Sequence, residues 1–279
     1  MPFDPYFDKN ALVLPLETAT TFDDKSNRPK SITNHGVTIS TDHSQWGAGA
    51  AYFDGAGYLS AAYSDDFSFL SRDWEITGYI YPTSSAATDK VLIEFRGGTG
   101  FVLFLNSANK LQFYDGALSS QSANAVLVNT FSLIGLHKIG NTSYWSIGGV
   151  MNGAAASSKS TYPNATQLLV GARNDLAAKY SGYMNDLRIS NGVCRNSSDF
   201  TPYPALWRRA TKSGIARRQD TLVGADRVAL YDHTSQQFAA TATPDSSGNW
   251  SAEIDTGSQY DIVYSAAGYA PKIHGPYTF

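Results

Sequence analysis

The residues able to do chemistry in this chain are few, and their spacing does not assemble a reaction. Of the 24 acidic residues only Glu17, Glu75, Glu94 and Glu253 are glutamates; the rest are aspartates. Cleaving a glycosidic bond takes two carboxylates about 5 Å apart for retention, or about 6.5–9.5 Å apart for inversion. Along a strand that means acids two positions apart, since alternate residues share a face. None of Glu17, Glu75 and Glu94 is followed by such a partner. Glu253 and Asp255 are two apart but sit beside a glycine turn near the end of the chain. The histidines, His35, His43, His137, His233 and His274, are scattered, and none has the i, i+4 spacing of a helical zinc site. There is no G-x-S-x-G elbow and no glycine loop for phosphate. No catalytic residue is therefore assigned.

Cys194 is the single cysteine, which excludes an intrachain disulfide framework. No histidine or second cysteine accompanies it in sequence, so it reads as a small buried hydrophobe rather than a reactive thiol. Aromatic rings offer a different chemistry, since Trp and Tyr stack on sugar faces. Trp46, Tyr63, Tyr114, Tyr144 and Trp145 fall in or near turns, but a ring on a strand is more often core. No particular loop is marked out as a carbohydrate-binding site.

The elements that position these residues are strands. Short apolar or alternating runs recur at 12–16, 37–40, 74–81, 91–95, 101–105, 110–114, 126–128, 131–139, 144–147, 167–170 and 180–190. Gly, Asn, Asp and Ser separate them, and helical periodicity is nearly absent. Such a pattern predicts a two-sheet antiparallel sandwich. Charged residues make up only 16% and the formal net charge is -3, which removes the electrostatic basis for a nucleic-acid partner. No apolar run approaches the roughly 18 residues of a membrane span, and the first ten residues carry no basic start or apolar core of a secretory signal.

Residues 182–207 read G-Y-M-N-D-L-R-I-S-N-G-V-C-R-N-S-S-D-F-T-P-Y-P-A-L-W. Alternation predicts a strand with Tyr183, Asn185, Leu187 and Ile189 on one face and Met184, Asp186 and Arg188 on the other. A proline-rich extended exit follows. This stretch resembles the closing strand of the concanavalin A-like (laminin G-like) jelly-roll domains of bacteriophage virion proteins, which end on G-Y-I-D-D-[LV]-R-I-[ST]-x-G-V-A-R and F-T-P-P. Asn185 stands for the first Asp of that pattern, Asp186 keeps the second, and Cys194 replaces the usual Ala. Further matches are A-Y-F-D-G-A-G-Y-L at 51–59, L-N-S-A-N-K-L-Q-F-Y-D-G at 105–116 and L-V-G-A-R-N at 169–174. Tyr79 and Phe131 replace tryptophans of the family, one large ring for another.

The resemblance implies a structural calcium between the opening and closing strands, with Asp186 and Glu17 as its carboxylates. In the alternative, Asp186 caps a turn or pairs with Arg188 or Arg173. It also implies a virion component, on the tail or as a capsid decoration, without catalysis and free to present a carbohydrate-binding surface. Its partners would be other virion proteins, in a homo-oligomer or larger assembly. The competing reading is a receptor-binding adhesin for a host cell-surface glycan; a glycoside hydrolase is the third.

The domain expectation is an N-terminal arm at 1–10, the jelly roll at 11–207, a basic linker at 208–214 and a small β-sandwich at 215–279. The linker is expected because R-R-A-T-K-S-G carries cations and no apolar pattern. The last segment, with V-A-L-Y-D, T-A-T-P-D-S-S-G-N-W and Y-D-I-V, resembles the carboxypeptidase-regulatory-like (prealbumin-like) fold. At this size its core is expected to be marginal.

Overall fold

A computed structural model describes residues 9–17, 22–26, 28–85, 88–96, 100–116, 119–156, 167–202, 209–215, 227–232, 238–255, 259–265 and 272–278. The expected N-terminal arm through Asp8 and the exit beyond Pro202 lie outside them. The described residues fall into two compact units, one within Tyr6–Tyr203 and the other within Pro204–Phe279. Both are all-β, and the described residues contain no α-helix.

Fifteen strands of the first unit are described: β1 (Asn10–Leu14), β2 (Ile32–His35), β3 (Thr38–Ser40), β4 (Ala50–Asp54), β5 (Tyr58–Ala62), β6 (Trp74–Pro82), β7 (Lys90–Arg96) and β8 (Val102–Leu105). They continue with β9 (Lys110–Tyr114), β10 (Ser119–Ala125), β11 (Ser132–Ile139), β12 (Thr142–Ile147), β13 (Val150–Ala156), β14 (Gln167–Val170) and β15 (Ser181–Asn191). They form two antiparallel sheets. One runs β13-β12-β11-β6-β15-β4-β3 with β1 also on β15; the other runs β10-β9-β8-β7-β14-β5-β2. Apolar residues from both sheets, among them Trp74, Ile76, Leu92, Phe95, Phe113, Trp145 and Ile189, close into one core. This is the expected sandwich.

β15 is the centre of the first sheet. One edge pairs with β6 along its length. The other edge is shared: 181–184 pair with β4, and 187–190 pair with β1. Where the partner changes, the register shifts and Asp186 takes a left-handed φ of 52°. The simple alternation expected for this strand therefore fails. One bulged residue reverses the parity, so Tyr183 and Asn185 share a face with Arg188 and Ser190. Leu187 and Ile189 join Met184 in the core.

In the second unit β16 (Arg209–Ile215) pairs with β19 (Asn249–Asp255). A four-stranded sheet holds β18 (Phe238–Ala242), β17 (Arg227–Asp232), β20 (Gln259–Ser265) and β21 (Lys272–Thr278), in that order. Its core is built from Val228, Leu230, Trp250, Ala252, Tyr260 and Ile262. The basic linker expected at 208–214 is, from Arg209 onward, strand β16. A two-stranded ladder is held by backbone groups and needs no apolar periodicity, and Lys and Arg are common on sheet edges.

Candidate functional site

Cross-strand pairing sets four rows of side chains on the outer face of the first sheet. The top row is Tyr52, Tyr183 and Tyr81; the next is Asn185, Tyr79 and Leu133. Below them come Arg188, Thr77, Gly135 and Ser146, and then Ser190, Glu75, His137 and Tyr144.

The upper end is aromatic. His43 stacks on Tyr81 with ring centroids 4.3 Å apart and meets Tyr183 edge-on at 4.8 Å. Tyr52 lies 4.8 Å from Tyr183, and Phe131 lies 5.2 Å from Tyr81. Trp46 stands edge-on to Tyr79 at 5.8 Å. Tyr183 and Tyr79 are buried, while Tyr52, Tyr81, Phe131, His43 and Trp46 remain partly exposed. Burial pushes the Tyr183 phenol above its usual range, Ser40 hydrogen bonding opposes this, and the field of Asp42 adds to it. The phenol is neutral at physiological pH.

His43 and Trp46 reach this face on the loop 41–49, which Asn185 holds in place. The Asn185 Oδ1 accepts from Gln45 N at 2.9 Å, and its Nδ2 donates to Leu16 O and Gly49 O at 3.1 and 3.2 Å. Glu17 folds against Gly47, whose φ of +73° and lack of Cβ both make room for it. Asp186 binds Arg188 bidentately at 3.0 and 2.6 Å, and Arg173 is engaged by Asp175. Of the alternatives for Asp186, the arginine partner is the one formed. Its two oxygens face a guanidinium, and the carbonyls between the opening and closing strands already receive the Asn185 amide. Among the described residues Asp186 and Glu17 belong to no cluster of three potential ligands. A calcium ion held by Asp186 would have to displace this arginine pair.

The lower end is polar and covered. The segment 192–202 crosses it, fixed by Phe200 N to Gly149 O and by Met151 N to Asp199, both 2.7–2.8 Å. Beneath it, Glu75 Oε2 accepts from His137 Nδ1 at 2.9 Å and from the backbone and side chain of Asn196 at 3.0 and 3.1 Å. Cys194 Sγ is 3.6 Å from the same oxygen. Burial works to raise the Glu75 carboxyl, but the His137 hydrogen bond and charge outweigh it and hold it below its usual range. Burial, with the Glu75 carboxylate beside it, pushes the Cys194 thiol far up. A thiol so held is protonated and a poor nucleophile.

The aromatics singled out in the sequence are dispersed by the fold. Trp46 joins the upper end and Tyr144 the lower, Trp145 is wholly buried, and Tyr63 and Tyr114 are exposed singly. Tyr52, Tyr81, Phe131 and His43 carried a readable signal only as the outward members of alternating strands and a flanking loop. A separate cleft of about 750 Å³ is lined by Lys9, Arg28, Asp65, Asp66, Arg72 and Asn191 among others. There Asp66 is already bound by Arg28 at 2.7 Å and Lys30 at 2.6 Å.

No family model and no curated protein matches the sequence. Solved structures do. Domain 4 of an extracellular arabinanase from Geobacillus stearothermophilus, solved with arabinotriose, aligns with 68% of this chain and 95% of its own at a TM-score of 0.54 and 13% identity. The binding domain of Paraclostridial Mosquitocidal Protein 1 aligns over 98% of this chain and 68% of its own, at 0.60 and 12%. A botulinum neurotoxin type C structure, from work on entry through two ganglioside molecules, aligns over 95% and 73%, at 0.52 and 9%. At such identities the likeness is one of fold: the chain shares the β-sandwich architecture of these structures.

Proposed function

We propose that this chain is a non-catalytic module that binds saccharide on the aromatic end of its first sheet and is carried on a bacteriophage virion. The supporting observation is the cluster of Tyr52, Tyr81, Phe131 and His43, partly exposed rings gathered on one sheet face and braced by buried Tyr183. Rings fixed by neighbouring rings present an apolar platform at little entropic cost, which suits the axial C–H face of a sugar. The nearby charges narrow the ligand. Arg188 is bound to Asp186, and Asp42 is the carboxyl group whose field reaches Tyr183. That pattern favours a neutral saccharide, with hydroxyls to donate to Asp42, over a carboxylated one.

Solved relatives of this fold that were crystallised with arabinotriose or studied for ganglioside-dependent entry make the reading a natural one, but the aromatic face carries it. The virion placement rests on the sequence resemblance. A glycan array followed by calorimetry tests the binding. If a ring on sugar contributes about what a ring pair does, ~0.5–1.5 kcal/mol, Tyr81→Ala should weaken affinity roughly two- to tenfold. Its thermal melt should stay close to wild type, since Tyr81 is partly exposed on the outer face, away from the core between the sheets. Saccharide binding that ignores both Tyr81→Ala and Tyr52→Ala would place the site elsewhere.

A further inference from the structure

We infer that Glu75, His137 and Cys194 form a zinc site that staples the segment 192–202 to the outer face of the first sheet. The three donors come from β6, β11 and the crossing segment. Their ligand atoms all lie within 4.8 Å of one another, with Nδ1 of His137 2.9 Å and Sγ of Cys194 3.6 Å from Oε2 of Glu75. Zinc bonds of about 2.0–2.3 Å in a tetrahedron set donor–donor edges of roughly 3.3–3.7 Å. To accept the ion, the Nδ1–Oε2 edge opens by about 0.4 Å and the Nδ1–Sγ edge, which lies within 4.8 Å, settles near the same length as the Sγ–Oε2 edge.

The surroundings have the features that a metal-binding histidine requires. Nε2 of His137 lies 2.8 Å from Ser146 Oγ, a partner that fixes the ring and accepts the Nε2 proton once the ion takes the place of the one on Nδ1. Gly135 makes this possible, because a Cβ there would collide with both His137 Nε2 and Ser146 Oγ. One oxygen of Glu75 meanwhile faces four donors: His137 Nδ1, Asn196 N, Asn196 Nδ2 and the Cys194 thiol. That exceeds the lone pairs it has to offer. A cation replacing the imidazole and thiol protons relieves the crowding. On binding, the thiol proton leaves to solvent, the imidazole proton resides on Nε2, and sulfur binds as thiolate. Rotating the Asn196 amide by half a turn brings its oxygen in as the fourth donor. The ion has a way in, because Cys194 is only partly buried.

The cysteine makes the test clean. Alanine is usual at this position in the family that the chain resembles, so Cys194→Ala should fold. The full chain is expressed in zinc- or cobalt-supplemented medium, purified and analysed for bound metal. One equivalent is expected, with a thiolate-to-cobalt charge-transfer band in the cobalt form. Zinc at a hundredfold its Kd should raise the melting temperature by about 5–10 °C. Cys194→Ala should keep the fold by circular dichroism and lose the band, the metal and the shift. A folded wild-type protein without bound metal overturns the inference. So does cobalt bound without a thiolate band, or equal binding by Cys194→Ala.

Discussion

Asn185 shows how one side chain can settle what a motif leaves open. At 0% exposure its amide donates to two carbonyls and accepts one backbone N–H, joining the exit of β1, the loop 41–49 and β15. An aspartate of the same shape has no proton for those carbonyls. Asn185→Asp should therefore set a carboxylate against two carbonyls, each of which keeps one other donor, Ala51 N on Leu16 O and Ser44 Oγ on Gly49 O, at a cost of about 1–3 kcal/mol in all. Thermal melts should show a drop of several degrees, and an unchanged melt would mean that the junction does not depend on the amide. The same geometry bears on calcium. With the carbonyls occupied and Asp186 on Arg188, melts of Cys194→Ala, which lacks the zinc thiolate, should coincide in EDTA and in added calcium; a chelator-induced drop there would restore the ion. At this scale the sequence was least legible. Cys194 has no chemical neighbour along the chain, yet folding brings to it Glu75, 119 residues away, and His137. Such meetings depend on sheet order and register, which alternation does not specify.

Among elements, the strands were legible because apolar alternation follows directly from burying one face. Two departures were not. The bulge at Asp186 reverses the face of every later residue in β15, and its signal is a left-handed aspartate rather than a glycine. Strand β16 carries R-A-T-K-S-G-I, a run whose ladder depends on backbone groups that a side-chain pattern cannot reveal. Its pairing makes a direct prediction. Amide hydrogens within Arg209–Ile215 that face Asn249–Asp255 should exchange slowly, in the alternating manner of an antiparallel pair. Uniformly fast exchange across the segment would return it to the status of a linker.

At the scale of the molecule, the two units differ greatly in what they bury. The first closes a core between two sheets of eight and seven strands; the described core of the second is centred on Trp250, Tyr260 and four smaller residues. Small cores give small stabilities, so heating should produce two transitions with the second unit unfolding first. This separation allows the binding site to be located without a mutation. A saccharide that binds only a folded unit stabilises that unit by RT ln(1 + [L]/Kd), about 2.7 kcal/mol at a hundredfold excess over Kd. For a domain near 200 residues that corresponds to very roughly 5–10 °C. If the aromatic face of β4, β6 and β15 holds the sugar, the later transition should move by this amount and the earlier one should stay. Movement of the earlier transition alone would assign the ligand to the second unit, and the rings of the first sheet would then need another explanation.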